Sequence, residues 1–190
     1  MAEPVTKRMS IEEFLDWQTG QEMNWELVDG VPVMPQKSVT GATQRHDRVT
    51  VNIIGELGNQ LRRGPCRPST DDIALVTGKR SVRRPDVTVQ CAPADPKSML
   101  SVEPRVLVEV LSPSTMNYDR VQKLDEYKAI AAVSVILLVD TETPRITVWR
   151  RGGDIGWTKV EFAGLSETIP LPEVGATLAL ADVFEGVHDA

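Results

Sequence analysis

Glu109 lies within Val106-Leu107-Val108-Glu109-Val110-Leu111, where every other residue is aliphatic. In an extended strand its side chain shares a face with Leu107 and Leu111. A carboxylate buried there without a partner is costly and tends to take up a proton. A metal ion, a lysine or an exit to solvent would each compensate it, as would an arginine or a place at the sheet edge. Asp86 follows Pro85 at the start of a second strand, with Thr88 and Gln90 on its side and Val87 and Val89 on the other. A Pro-Asp pair by itself is a common turn. On a strand about 4.8 Å from that of Glu109, however, Asp86 completes a carboxylate pair able to share one hard cation.

Other polar residues stand near this pair in the pattern. Glu26 falls in Trp25-Glu26-Leu27-Val28-Asp29-Gly30. Asp29 and Gly30 are explained as turn formers, whereas Glu26, which alternates with Val28, is not. Taken alone it reads as a solvent-facing glutamate. Lys123 sits at the edge of a helical apolar stripe, where its ordinary role is an i, i+4 pair with Asp119 worth about 0.3–0.5 kcal/mol. Lys128 on the other edge competes for any functional role, and Tyr127 reads equally well as core. His46 reads as a surface histidine near a helix start. His188 is the one other histidine, so a histidine-rich metal site and a Ser-His-Asp triad are poorly supported. No GxGxxG or Walker loop calls for a nucleotide. Cys66 and Cys91 lack metal-ligand spacing and read as small buried or half-buried residues.

The elements that must position these groups are legible in outline. Ser10 and Glu13 form a capping-box pattern ahead of Ile11, Phe14 and Leu15. Trp25 to Val28, Asp29-Gly30 and Val31 to Met34 read as a β-hairpin. Val49, Ile53, Leu57 and Leu61 mark one face of a helix over 43–63. Strands are expected at Ile73 to Val76, Asp86 to Val89 and Arg105 to Leu111. Pro113 and Ser114 then break the chain before a helix over 117–131, striped by Val121, Leu124, Tyr127 and Ala131. The apolar run Ser134 to Val139 predicts a strand buried on both faces. Outer strands are expected at Ile146 to Trp149 and Thr158 to Phe162, with a closing helical turn at Ala181 to Phe184. A helix between two buried strands favours a parallel pair with a right-handed crossover.

The 190 residues fit one domain, with a core at about 43–140, an N-terminal helix and hairpin at 10–34 and outer strands at 145–184. A hydrophobic content of 41% supports a real core. No apolar run approaches the roughly 18 residues of a membrane span, and Met1 to Ser10 carries no secretory apolar region, so the expected compartment is the cytoplasm. The net charge of −6 argues against a general DNA coat. An enzyme needs only a local basic rim, which Arg62, Arg63, Arg67, Lys79, Arg80, Arg83 and Arg84 could form, or they could be ordinary solvated charge.

Together these stretches resemble the Uma-type (Uma two) endonuclease family, a branch of the PD-(D/E)XK nuclease superfamily. The resemblance rests on Trp25 to Gly30, on Arg84-Pro85-Asp86-Val87 and on Val108-Glu109-Val110-Leu111-Ser112-Pro113-Ser114-Thr115. Asp119, Lys123, Leu124 and Tyr127, then Leu137 to Asp140, follow at the family's spacing. It runs from about Ser10 to Phe184.

The resemblance implies an α/β (α+β) restriction-endonuclease-like core. A mixed central sheet is flanked by helices, in the order helix, three strands, helix, strand. It implies that Asp86 and Glu109 hold Mg²⁺ or Mn²⁺ with the Val110 carbonyl, and that Glu26 is an additional acid. The superfamily's usual lysine position falls at Leu111, so the resemblance moves that role to Lys123. The activity implied is metal-dependent endonucleolytic hydrolysis of nucleic acid, DNA foremost. Leu111 and the acidic charge keep open a catalytically inactive nucleic-acid-binding or assembly module. A hydrolase of another phosphorylated substrate is chemically allowed. Cutting both strands of a duplex takes two sites, so a homodimer is a further expectation. Trp149 and Trp157 on the outer strands could form its interface or serve as core and rim.

Overall fold

The computed structural model describes residues 8–35, 43–111 and 118–188, with side chains described from residue 121 in the helix that begins at 118. Ser112 to Thr115, including the expected break at Pro113 and Ser114, and the Asp119 side chain lie outside the described residues.

Local chemistry fixes the first elements. The Ser10 hydroxyl accepts from the Glu13 N–H at 3.1 Å and the Glu13 carboxylate accepts from the Ser10 N–H at 2.8 Å. This reciprocal cap starts α1 (Ile11–Gln18). Strands β1 (Glu26–Val28) and β2 (Val31–Val33) pair as a hairpin whose turn residues Asp29 and Gly30 take φ of 48° and 85°. Asn, Asp and Gly tolerate that region, and its twist matches the flanking strands. The Thr43 side chain caps α2 (Gln44–Leu61), which buries Val49, Ile53, Leu57 and Leu61 on one face.

After α2 come β3 (Arg67–Thr70), β4 (Leu75–Gly78), β5 (Ser81–Arg83), β6 (Val87–Gln90) and β7 (Pro104–Leu111). Helix α3 (Tyr118–Ala129) leads to β8 (Val135–Asp140), β9 (Arg145–Gly152), β10 (Gly156–Ala163), β11 (Thr168–Leu171), β12 (Ala176–Ala179) and α4 (Leu180–Val183). The main sheet has the order β10-β9-β8-β7-β6-β3. Its β7 and β8 are parallel and joined through α3, and its other neighbours are antiparallel. A smaller sheet, β2-β1-β5-β4, packs with α1 around Phe14, Leu27, Ala74 and Val82.

Alternation divides the main sheet cleanly. Val87, Val89, Val106, Val108, Val110, Val135, Leu137 and Val139 face α2. Leu107, Ile136 and Leu138 face α3 through Tyr127 and Leu124. Continuous burial on both faces is the behaviour expected of a parallel pair covered by helices. The resulting architecture is α+β, with a mixed central sheet between helices.

Three expectations about these elements need correction. The strand expected at Ile73 to Val76 is displaced to Leu75–Gly78, and it belongs to the smaller sheet. The first core strand is instead β3, Arg67-Pro68-Ser69-Thr70. It has no apolar pattern and tolerates its proline because it is an edge strand. Val121, read as part of the α3 stripe, is exposed, because burial is confined to the side carrying Leu124 and Tyr127. Arg83 and Arg84 do not belong to a solvated basic rim, since both are buried among carboxylates and carbonyls. Cys66 and Cys91 are buried and half-buried as expected, and, one position beyond the Arg67–Gln90 pair of the β3–β6 ladder, they are in addition joined in a disulfide.

Candidate active site

The two candidate carboxylates stand where β6 begins and β7 ends. Val87 pairs with Val108, so one residue further along that antiparallel register brings Asp86 opposite Glu109. Asp86 is only 4% exposed. Its Oδ2 accepts from the Val110 N–H at 2.7 Å, which places the carboxylate against the peptide that follows Glu109. Its Oδ1 lies 3.4 Å from Nε2 of His46, which is held in the first turn of α2. His46 is therefore not the surface histidine expected. The signal was its place on the stripe that continues through Val49 and Ile53.

Glu109 points to the α3 side, as the alternation with Leu107 and Leu111 requires. Its Oε1 accepts from the Tyr127 hydroxyl at 2.5 Å. Burial, then the Glu109 charge, holds the phenol well above its ordinary pKa, so Tyr127 is a permanent donor. Lys123, one turn earlier on α3, has Nζ 4.0 Å from the same carboxylate oxygen. Lys128 is not in the site, because its ammonium lies over the Trp149 ring, 3.3 Å from the centroid.

Glu26 reaches this cluster from the smaller sheet. Its Oε1 accepts from Lys123 Nζ at 3.0 Å and from the Arg84 N–H at 3.1 Å, and its Oε2 meets Arg83 at 3.1 Å. Burial alone would raise the Glu26 carboxyl, but Lys123 and Arg83 outweigh it and hold the group below its usual range. Arg83 also forms a two-pronged pair with Glu126, at 2.7 and 2.9 Å, and Thr77 donates to the same carboxylate at 2.6 Å. Charges thus alternate through Glu109, Lys123, Glu26, Arg83 and Glu126 across the junction of the two sheets. Arg83 and Glu126 escaped the sequence reading. Arg83 stands in a three-residue strand with no apolar alternation, and Glu126 resembles any surface charge of a helix.

Hard oxygen donors dominate the sheet end, and no cysteine thiol is near. Among the described residues no group of three or more His, Cys, Asp and Glu side chains converges as a metal cage. Magnesium binds in that sparse manner, through one or two carboxylates, with waters and substrate oxygens completing its shell. Asp86 and Glu109 are oxygen donors of the type such an ion takes.

A family model described as "Uma2: Putative restriction endonuclease" matches residues 11–181. The chain belongs to this family. Two proteins of Synechocystis sp. (strain ATCC 27184 / PCC 6803 / Kazusa) are similar to it over most of their length. "Uncharacterized protein slr1290" is 28% identical over 182 residues, covering 95% of this chain and 93% of its own. "Uncharacterized protein sll1609" is 26% identical over 168 residues, covering 86% and 93%. A solved structure titled as a "putative nuclease belonging to DUF820" from Anabaena variabilis ATCC 29413 shares the fold. Its TM-score is 0.72 at 17% identity, over 93% of this chain and 98% of that one.

Within this Uma2-family chain, Tyr127 is the support of Glu109 most open to a clean test. Tyr127→Phe keeps the ring in the core and removes one hydrogen bond to a charged group. The expected loss of stability is about 1.5–3 kcal/mol, read from urea unfolding at neutral pH. An unchanged midpoint would mean that Glu109 finds an equivalent donor.

Proposed function

We propose that this chain is a metal-dependent nuclease that hydrolyses phosphodiester bonds of nucleic acid, with DNA the foremost substrate. The observation that carries the reading is the placement of Asp86 and Glu109 on adjacent strand ends, with the Lys123 ammonium anchored beside Glu109 by Glu26. Asp86 and Glu109 would hold Mg²⁺ or Mn²⁺ with the Val110 carbonyl. Bound there, such an ion lowers the pKa of a coordinated water and polarises the phosphate. Lys123 supplies positive charge where the phosphate gains negative charge during attack. Glu26 fixes the direction of that ammonium, and Tyr127 fixes the rotamer of Glu109. Arg83 and the Arg84 N–H keep Glu26 ionised so that the anchor persists.

The direct test is incubation with plasmid, single-stranded DNA and RNA in Mg²⁺ or Mn²⁺, with and without EDTA. Cleavage that disappears on chelation is the expected result. Silence on every substrate with either ion would instead favour a nucleic-acid-binding or assembly module. The observation behind that second reading is that the Lys123 ammonium is already paired with Glu26 while Leu111 occupies the usual lysine position.

A further inference from the structure

Strand β10 is the outermost strand of the six-stranded sheet, eight residues long and without proline. A long unpaired edge is a template for another chain, and proteins commonly blunt it with a central lysine. Here Lys159 stands at that position, but Glu161 follows two residues later on the same face.

The direction of the outward backbone groups of β10 follows from the ladder. The Arg151 N–H donates to the Ser134 carbonyl, on the β8 side of β9. Its neighbours Val148, Arg150 and Gly152 therefore turn their backbone groups toward β10, where they oppose Val160, Thr158 and Gly156. It follows that Trp157, Lys159, Glu161 and Ala163 aim their backbone N–H and C=O groups outward.

We propose that β10 pairs with β10 of a second copy of this chain, antiparallel about a two-fold axis through Val160. Outward groups must meet outward groups, which restricts the register to even offsets. Centring the axis on Lys159 would oppose lysine to lysine, and centring it on Glu161 would oppose glutamate to glutamate. Centring it on Val160 sets Lys159 against Glu161 of the second copy, and the symmetry repeats the contact. In the same register Trp157 meets Ala163 and Thr158 meets Phe162. Val160, 49% exposed, meets itself on the opposite face. The two main sheets become one continuous sheet through the axis. This pairing is independent of the chemistry at the carboxylate site.

The test is sedimentation velocity on the full chain and its charge variants. Wild type is expected to dimerise. Lys159→Glu and Glu161→Lys each put like charges face to face and are expected to weaken the dimer by about tenfold or more. Combining the two restores opposite charges and is expected to restore the dimer. Both native cysteines lie in the disulfide, so an introduced thiol is the reactive one. Val160→Cys should cross-link to itself under mild oxidation. Thr158→Cys should not, because the symmetry-related thiols lie four residues apart along the strand, about 13 Å. A wild type that stays monomeric overturns the proposal. So does a dimer indifferent to the single reversals, a double variant that fails to recover, or a Val160→Cys protein that fails to cross-link.

Discussion

Asp86→Asn is expected to reduce metal-dependent cleavage by at least about 10²–10³-fold, the range seen when one electrostatic contributor is removed from a preorganised site. Asparagine keeps the side-chain shape and one carbonyl oxygen. That oxygen can still accept from the Val110 N–H, the bond that ties Asp86 to β7. What the variant lacks is the negative charge, half of what the two carboxylates would offer a divalent cation in the proposed site. Isothermal titration with Mn²⁺ should lose its high-affinity phase while urea unfolding without metal changes little. Glu109→Gln, which keeps an oxygen for the Tyr127 hydroxyl, should behave alike. Cleavage retained in both proteins would remove the carboxylate pair from the mechanism.

Arg83→Met is the change with the largest expected cost in stability. Arg83 is 1% exposed and bridges two carboxylates, Glu26 and Glu126. Burial opposes its charge, but Glu126 and Glu26 outweigh that and push the guanidinium above its ordinary pKa. Methionine fills much of the volume and leaves Glu26 with Lys123 and the Arg84 N–H, and Glu126 with Thr77. Breaking a buried ion network from one side costs about 3–5 kcal/mol. The pH dependence has a definite sign. Glu26 and Glu126 both sit below the ordinary carboxylate range in the folded protein. Their contribution is therefore present above the unfolded value of about 4.5 and fades as pH falls through the folded values. The variant has less of it to lose. The stability gap to wild type should be widest at pH 7 and narrow below about pH 4.5, as urea unfolding at both values would show. A gap independent of pH would assign the loss to packing alone.

Glu109 was conspicuous in the sequence because it interrupts an apolar strand, and alternation gave its face correctly. Asp86 gained meaning only from the neighbouring strand, where the β6–β7 register sets it and Glu109 on adjacent strand ends. The α2 stripe and the α1 cap were local patterns and were equally legible. Strand β3 was not, since Arg67-Pro68-Ser69-Thr70 owes its conformation to pairing with β6. Arg83 and Glu126 were hidden for a related reason. They are 43 residues apart, and nothing near either one in the chain announces a partner. Tertiary pairing of charges leaves no periodic trace, so it is read from structure or not at all.

Sequence separation predicts an order of assembly for the charge network. Tyr127 and Glu109 are 18 residues apart, and Asp86 and Val110 are 24 apart, all within one stretch built around β6, β7 and α3. Glu26 and Lys123 are separated by 97 residues. Closing the longer loop costs about 1.5 kcal/mol more entropy than closing the 18-residue one, and contacts of high sequence separation tend to form late. The carboxylate pair can thus gather while the chain is still folding, and the ammonium receives its fixed direction only when the hairpin docks. A half-folded chain would hold the acids in place without an aimed lysine, so the proposed site is complete only with the last long-range contact.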